Sequence, residues 1–310
     1  MTELLPLLRD PAGSPPPGVV PGEPSAAPVP PSGRERLRRA GRFLARRPGL
    51  VVSVLYVLLV LCAAVAPNVL AGGDPLTGVP ALRLRPPSAA HLFGTDYLGR
   101  DLYTRVVHGA ALSLRATVLA VAVGLLVGGL IGLLAGFIGR WLDEGLMRFV
   151  DTLMAIPPIL LSLSLITALG YGTTKVAIAV GVASVASFAR VMRAETMRVR
   201  RATYVEAARS VGTRWYTSLR RHVLPNAAGP VLVLAVLEFG LAILQVSALS
   251  FLGYGAPPPA PEWGALIAEG RNYLANSWWL CTMPGFAIAA TVLSVNRISR
   301  ALDGEWARFR

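Results

Sequence analysis

Thr203-Tyr204-Val205-Glu206-Ala207-Ala208-Arg209-Ser210-Val211-Gly212 is a helix-forming, water-tolerant stretch held between two long apolar runs, and its reading decides how the chain is laid out. Thr203 with Glu206 three residues on fits a capping box, in which each side chain satisfies a free backbone N–H at a helix start. Ala207 and Ala208 give that helix a flat, small face, and Gly212 suits the left-handed conformation that ends one. A second helical run follows. Trp215, Leu219 and Val223 share one apolar side, Arg214, Arg220 and Arg221 stay in water, and Pro225 is expected to stop the run.

Working outward, 54% hydrophobic residues and a mean hydropathy of +0.55 take the 310-residue chain out of the soluble class. Apolar runs at 49–66, 116–138, 147–169, 175–191, 227–249 and 278–295 each approach the roughly 20 helical residues that cross a bilayer core. The expectation is an all-α, polytopic membrane protein with six transmembrane helices. Its formal charge of +13 is distributed unevenly. Seven Arg lie in 34–47, Arg140 and Arg148 follow span two, nine lie in 190–225 and four in 297–310. The alternate segments hold only Arg83, Arg85, Arg100, Arg105, Lys175 and Arg271. Basic residues accumulate on the cytoplasmic side, so both termini are expected in the cytosol. The excess charge is therefore topological, and no base-reading groups accompany it to suggest nucleic acid as a partner.

Residues 1–33, with ten Pro and four Gly, read as a disordered cytosolic tail. Residues 34–48 set Leu37, Ala40 and Leu44 against a field of Arg, as an interfacial elbow helix on anionic lipid would. The six-span domain is expected over 49–303, with outer segments at 67–111 and 250–277, the cytosolic loop at 200–225 and a tail at 304–310. The run at 46–66 reads as a retained span rather than an export signal, because Pro67 would occupy the first mature position. Cys62 and Cys281 fall inside apolar spans and suggest neither a disulfide nor a metal site.

Gly124, Gly128, Gly132 and Gly136 repeat every fourth residue in span two, making a groove that another helix of this or a different subunit can approach closely. Pro157-Pro158 should kink or unwind span three, either as structure or to line a pathway. Glu238 is the one acid in span five, and Gln245, seven residues on, shares its face. A mid-membrane carboxylate is costly enough that it should face the bundle interior or water, lining a pathway or bonding a neighbouring helix. Enzymatic readings fail on residues. The three His, at 91, 108 and 222, lie outside the expected spans, so no Ser–His pair or His-based metal site forms at membrane depth. There is also no phosphate-cradling G-x-x-x-x-G-K motif, so the chain is not itself an ATPase.

Two groups of motifs carry a family resemblance. Glu206-Ala207-Ala208, Gly212 and Leu224-Pro225 resemble the "EAA" loop of bacterial ABC importer permeases. His91-Leu92-Phe93-Gly94-Thr95-Asp96-Tyr97-Leu98-Gly99-Arg100-Asp101, with the stretch from Leu249 to Gly255 and Glu262-Trp263-Gly264, resembles the oligopeptide, dipeptide and nickel branch of that family. The resemblance covers about 35–303; Val295-Asn296-Arg297-Ile298-Ser299-Arg300 departs from the family's usual Gly-Asp-containing exit. It implies a type I ABC importer permease fold in a bacterial plasma (inner) membrane. The implied partners are a homologous second permease, two ATPase subunits that bind ATP and Mg, and an extracytoplasmic solute-binding protein, with no cofactor on this chain. The implied cargo is a peptide, with nickel or another small solute as the alternative and a non-transporting scaffold as the reading from another class. Tyr204, Glu206, Ala207, Ala208, Arg209, Gly212, Leu224 and Pro225 become candidates for ATPase coupling. Glu238, Gln245, Pro157 and Pro158 are candidates for the pathway, and Asp96, Arg100, Asp101, Trp263 and Arg271 for binding-protein docking.

Overall fold

The computed structural model describes residues 48–306. The expected tail, elbow helix and last four residues lie outside that range. Every regular element within it is helical. Helix α1 runs Pro48–Val65, α2 Leu102–Ile138, α3 Arg140–Met154, α4 Pro158–Leu169, α5 Thr173–Arg200, α6 Thr203–Ser210, α7 Trp215–Phe251, α8 Trp263–Gly270 and α9 Trp279–Trp306. Helices α1, α2, α5, α7 and α9 are each long and apolar enough to cross a membrane.

Helix α5 is the central post. It packs against α2, α3, α4 and α7, and it carries Val176, Ala177, Ala179 and Val180 into one core and Phe188, Met192 and Val199 into another. The glycine stripe of α2 finds its partner here, within the same chain. A Cβ on Gly128 would meet the Val185 carbonyl, and one on Gly132 the Ala189 carbonyl, both backbone atoms of α5. The helices touch backbone to backbone, which only glycine permits. Gly132→Ala is therefore expected to force α2 and α5 apart and to destabilise the chain by about 1–3 kcal/mol, the usual cost of overpacking. A lowered denaturation midpoint in detergent, with membrane insertion unchanged, is the measurement.

Two features depart from the sequence expectation, and a third gives an expected break its geometry. Span two does not start at 116. Helix α2 begins at Leu102, because Asp101 caps it by accepting from the Thr104 N–H at 2.8 Å, so His108 sits inside its first two turns. Span three is unwound at the expected Pro157-Pro158, and α3 with α4 together make the sixth candidate span, a broken one. Pro157 and Pro158 end α3 and start α4, and the two helices are bent by 93°. Neither Pro can donate, so a continuous ladder is impossible across 153–158. Helix α4 alone has 12 residues, about 18 Å, too few to cross. Lastly, Pro225 does not stop the run from Trp215. A π-turn at Leu219–Val223 precedes it, with the Leu224 N–H reaching the Leu219 carbonyl, and this wider turn lets the helix continue through Pro225 to Phe251.

Candidate functional site: the 203–225 loop and the 91–105 cap

The cytosolic-type loop folds as a helix on a hinge. Helix α6 starts at Thr203 itself, and the Glu206 N–H donates to the Ala202 carbonyl at 3.2 Å. The expected capping box is corrected accordingly. Thr203 is the first helical residue rather than the cap, so its backbone neighbour Ala202 supplies the acceptor. At the other end Gly212 has φ +82°, and the Thr213 N–H returns to the Ala208 carbonyl at 3.1 Å. That six-to-one bond around a left-handed glycine is the Schellman closure.

Val205 anchors α6. It is fully buried with Val199, Val223 and Ala227 at one end of the α5–α7 pair. Its neighbours face out: Tyr204, Glu206 and Ala207 are exposed, Ala208 is half-buried, and Leu224 and Pro225 are exposed where the π-turn ends. The Arg209 side chain is not among those described. Tyr204 lies edge-on to His222 at 6.4 Å and Trp215 lies 6.4 Å from Phe137, so the loop is braced against the helices on either side of it. Val211 is 83% and Trp215 65% exposed, so the loop keeps apolar side chains on its surface.

On the other side of the molecule, the signature from His91 to Asp101 folds on itself. Asp96 accepts from the Leu98 and Arg100 N–H groups at 2.8 and 2.9 Å, from Arg100 Nε at 2.6 Å and from Arg105 Nη1 at 2.8 Å. Glu269 of α8 accepts from Arg105 Nη1 at 2.8 Å and Arg100 Nη2 at 3.1 Å. Gly94 and Gly99, both at φ +76°, make the turns that bring these groups together. Asp96, Arg100 and Trp263 are buried, and Asp101 serves the α2 N-terminus and His91. Asp96, Arg100 and Trp263 thus have their side chains engaged within the cap, whereas Asp101 is about a quarter exposed. Arg271 alone of that set is exposed, its guanidinium 5.8 Å from the Phe251 ring.

Sequence reasoning missed Arg105 and Glu269, the residues that join the outer segment to α8, and also Glu262. The last is fully buried and caps α8 by accepting from the Gly264 and Ala265 N–H groups at 3.1 and 2.9 Å. Burial pushes its carboxyl above the usual carboxylate range, against the pull of those two donors and of the Ser250 and Ser113 hydroxyls. The spacing Glu262-Trp263-Gly264 was a usable cap signal, an acid just before an apolar helix.

Within the bundle, Glu238 is half-buried on the α7 face turned toward α5, with the Ser187 hydroxyl beside its carboxyl. Gln245 shares that face, and no described group bonds its buried Oε1. Pro157 and Pro158 stand at the exposed bend between α3 and α4.

Residues 128–308 match the family described as the binding-protein-dependent transport system inner membrane component. The chain belongs to this family. It is a membrane-spanning permease subunit of the ABC importer class. It is 38% identical over 279 residues to a putative peptide transport system permease of Brucella suis, covering 90% of this chain and 94% of the relative. The dipeptide transport permease of Alkalihalophilus pseudofirmus is 36% identical over 265 residues, covering 86% and 87%. A probable D,D-dipeptide transport permease of Escherichia coli is 39% identical over 250 residues, covering 80% and 84%. Among solved structures, an inward-facing methionine ABC transporter aligns with TM-score 0.51 at 20% identity, covering 65% of this permease and 97% of that chain. An amino acid ABC transporter crystallised with histidines gives TM-score 0.51 at 17% identity, covering 66% and 94%. At those identities the likeness shows the fold of importer permeases and nothing of their cargo.

Proposed function

We propose that this permease subunit conducts peptides across a bacterial plasma membrane by alternating access, with both termini in the cytosol. A homologous second permease completes the pathway, which runs past the Pro157-Pro158 bend and Glu238. Two separate ATPase subunits hold ATP and Mg, and an extracytoplasmic binding protein delivers the peptide. The observation that carries this reading is α6: a two-turn helix closed at Gly212, anchored by Val205 and exposing Tyr204, Glu206 and Ala207, in the connection between the long apolar helices α5 and α7. Such a projecting element is what a motor subunit needs in order to push on the spans. The peptide cargo is supported by the names of the Brucella, Alkalihalophilus and Escherichia relatives, which favour it over nickel.

The complex of this chain with a partner permease, ATPases and binding protein, reconstituted in liposomes, is expected to accumulate a labelled di- or tripeptide only with ATP and binding protein present. Peptide-independent ATP hydrolysis, with accumulation of nickel instead, would overturn the peptide reading.

A further inference from the structure

An apolar cavity of about 140 Å³ lies where α1, α2 and α9 part from one another next to the outer segment. Each helix gives its wall one alanine, Ala63, Ala110 and Ala287, and these short side chains leave space that larger ones would fill. Leu70 and Phe93 of the outer segment line one end, and Trp263, the first residue of α8, forms part of the wall. The polar atoms of that wall are already committed. Tyr56 donates its hydroxyl to the Ala287 carbonyl at 3.0 Å, Tyr103 to the Leu70 carbonyl at 3.2 Å, and Trp263 Nε1 to the Val106 carbonyl at 2.8 Å.

Chemistry and place both select the occupant. Water needs about two to four polar partners, and a wall without an uncommitted side-chain donor does not supply them. An empty apolar space forfeits dispersion contacts on every side, and a cavity of about 150 Å³ lined by Leu, Ile and Phe takes up benzene. The mouth lies at Leu59 and Phe286, lining residues that are 50% and 67% exposed. Beside it, α1 shows Val52, Leu55, Leu58 and Leu61 on its exposed surface, and α1 is the least buried of the five membrane-long helices, 17% against 33–67%. Where helices of this chain meet most closely they do so through glycines, as α2 meets α5; a surface of Val and Leu suits lipid tails instead. The depth agrees. Leu59 and Ala63 stand six and two residues before the end of α1, roughly 3–9 Å along its axis, and Met283 and Ala287 four and eight residues after the start of α9, roughly 6–12 Å. Trp278 and Trp279, where α9 begins, and Tyr103, where α2 begins, are rings of the kind that mark the membrane interface. The cavity therefore falls in the cap-side half of a hydrocarbon core about 30 Å thick.

We propose that this cavity is a lipid site, taking up a segment of one acyl chain from the leaflet on the side of the 91–105 cap, with entry between Leu59 and Phe286. The chain segment fills the space left by Ala63, Ala110 and Ala287 and joins α1, the least buried long helix, to α2 and α9. It also presses on Trp263, whose backbone N–H donates to the Ser113 hydroxyl at 3.1 Å, so a filled cavity steadies the start of α8 from the membrane side. None of this depends on the cargo.

The test uses the reconstituted complex in nanodiscs that contain a phosphatidylethanolamine with a diazirine midway along one acyl chain. After irradiation, peptide mass spectrometry is expected to find adducts on Val107, which lines the cavity at 7% exposure, as well as on Leu55, which any surrounding lipid reaches. Ala63→Leu fills the space and should abolish the Val107 adduct while leaving that on Leu55. Ala287→Met fills it from α9 and should do the same, so a folding defect in one variant does not decide the outcome; the Leu55 adduct reports that the helix is still in the membrane. Added phosphatidylethanolamine is also expected to raise the denaturation midpoint of the parent complex in detergent, and to raise it less in either filled variant. Adducts confined to exposed residues such as Leu55 would overturn the site, whether the cavity is empty or a helix of the partner permease covers its mouth. A Val107 adduct that persists unchanged in both filled variants would overturn it as well.

Discussion

Gly212→Val is expected to abolish ATP-driven uptake while leaving the long helices folded and inserted. The reason is backbone geometry rather than space: a Cβ at Gly212 meets nothing within 4 Å, but φ is +82°. A β-branched residue in the left-handed region is strained by about 1–2 kcal/mol or more, enough to favour unwinding the last turn of α6 or redirecting the chain toward Trp215. Either change moves Tyr204, Glu206 and Ala207 relative to α7, so the push from an ATPase would no longer reach the spans. Gly212→Asn provides the control, since Asn tolerates this region at little cost. Peptide-stimulated ATP hydrolysis and uptake by the reconstituted complex are expected to fall at least about tenfold for Val, the equivalent of about 1.4 kcal/mol, and to stay within a few-fold for Asn. A valine variant that transports normally would show that the left-handed hinge is dispensable for coupling.

The same glycine shows what was legible in the sequence. Its neighbours were helix formers with a cap pattern, and a helix that must turn within water between two membrane spans needs a left-handed residue, so composition and position sufficed. The stripe at Gly124, Gly128, Gly132 and Gly136 was equally readable as a close-packing face, but its partner was not. Helix α5 is met through the Val185 and Ala189 backbone, which leaves no mark on side-chain type. Pro157-Pro158 announced a break and not its angle. The 93° bend depends on Asp143 and Asp151 of α3 reaching Arg193 and Arg190 of α5, pairs separated by 50 and 39 residues. The outer signature was the most misleading region. Asp96, Arg100 and Trp263 look like surface chemistry in a loop between spans, yet each is buried, because positive-φ glycines fold the loop over its own polar groups. Sequence cannot distinguish a charged residue facing a partner from one facing its own loop until the contact 164 or 169 residues away is known.

That buried network yields the largest expected loss of stability. Arg105 is 1% exposed and bridges Asp96 and Glu269 while donating from Nη2 to the Pro259 carbonyl at 3.2 Å. Two guanidinium groups balance two carboxylates, and every member is within reach of an opposite charge. Arg105→Met removes one cation and leaves two carboxylates sharing Arg100, away from water. Breaking a buried pair from one side typically costs about 3–5 kcal/mol, so the variant is expected to denature at a markedly lower temperature in detergent and to accumulate poorly in the membrane. Adding Glu269→Met should recover a large part of the loss. The double variant restores neutrality, leaves the 2.6 Å Arg100–Asp96 pair intact and fills the gap with two apolar side chains. The informative quantity is the coupling between the two substitutions in a double-mutant cycle, expected at about 1–3 kcal/mol for residues in one network. Strict additivity would mean that the charges do not act as a unit, and the link between the outer segment and α8 would then have to rest on Trp263, Leu266 and their apolar neighbours in α2.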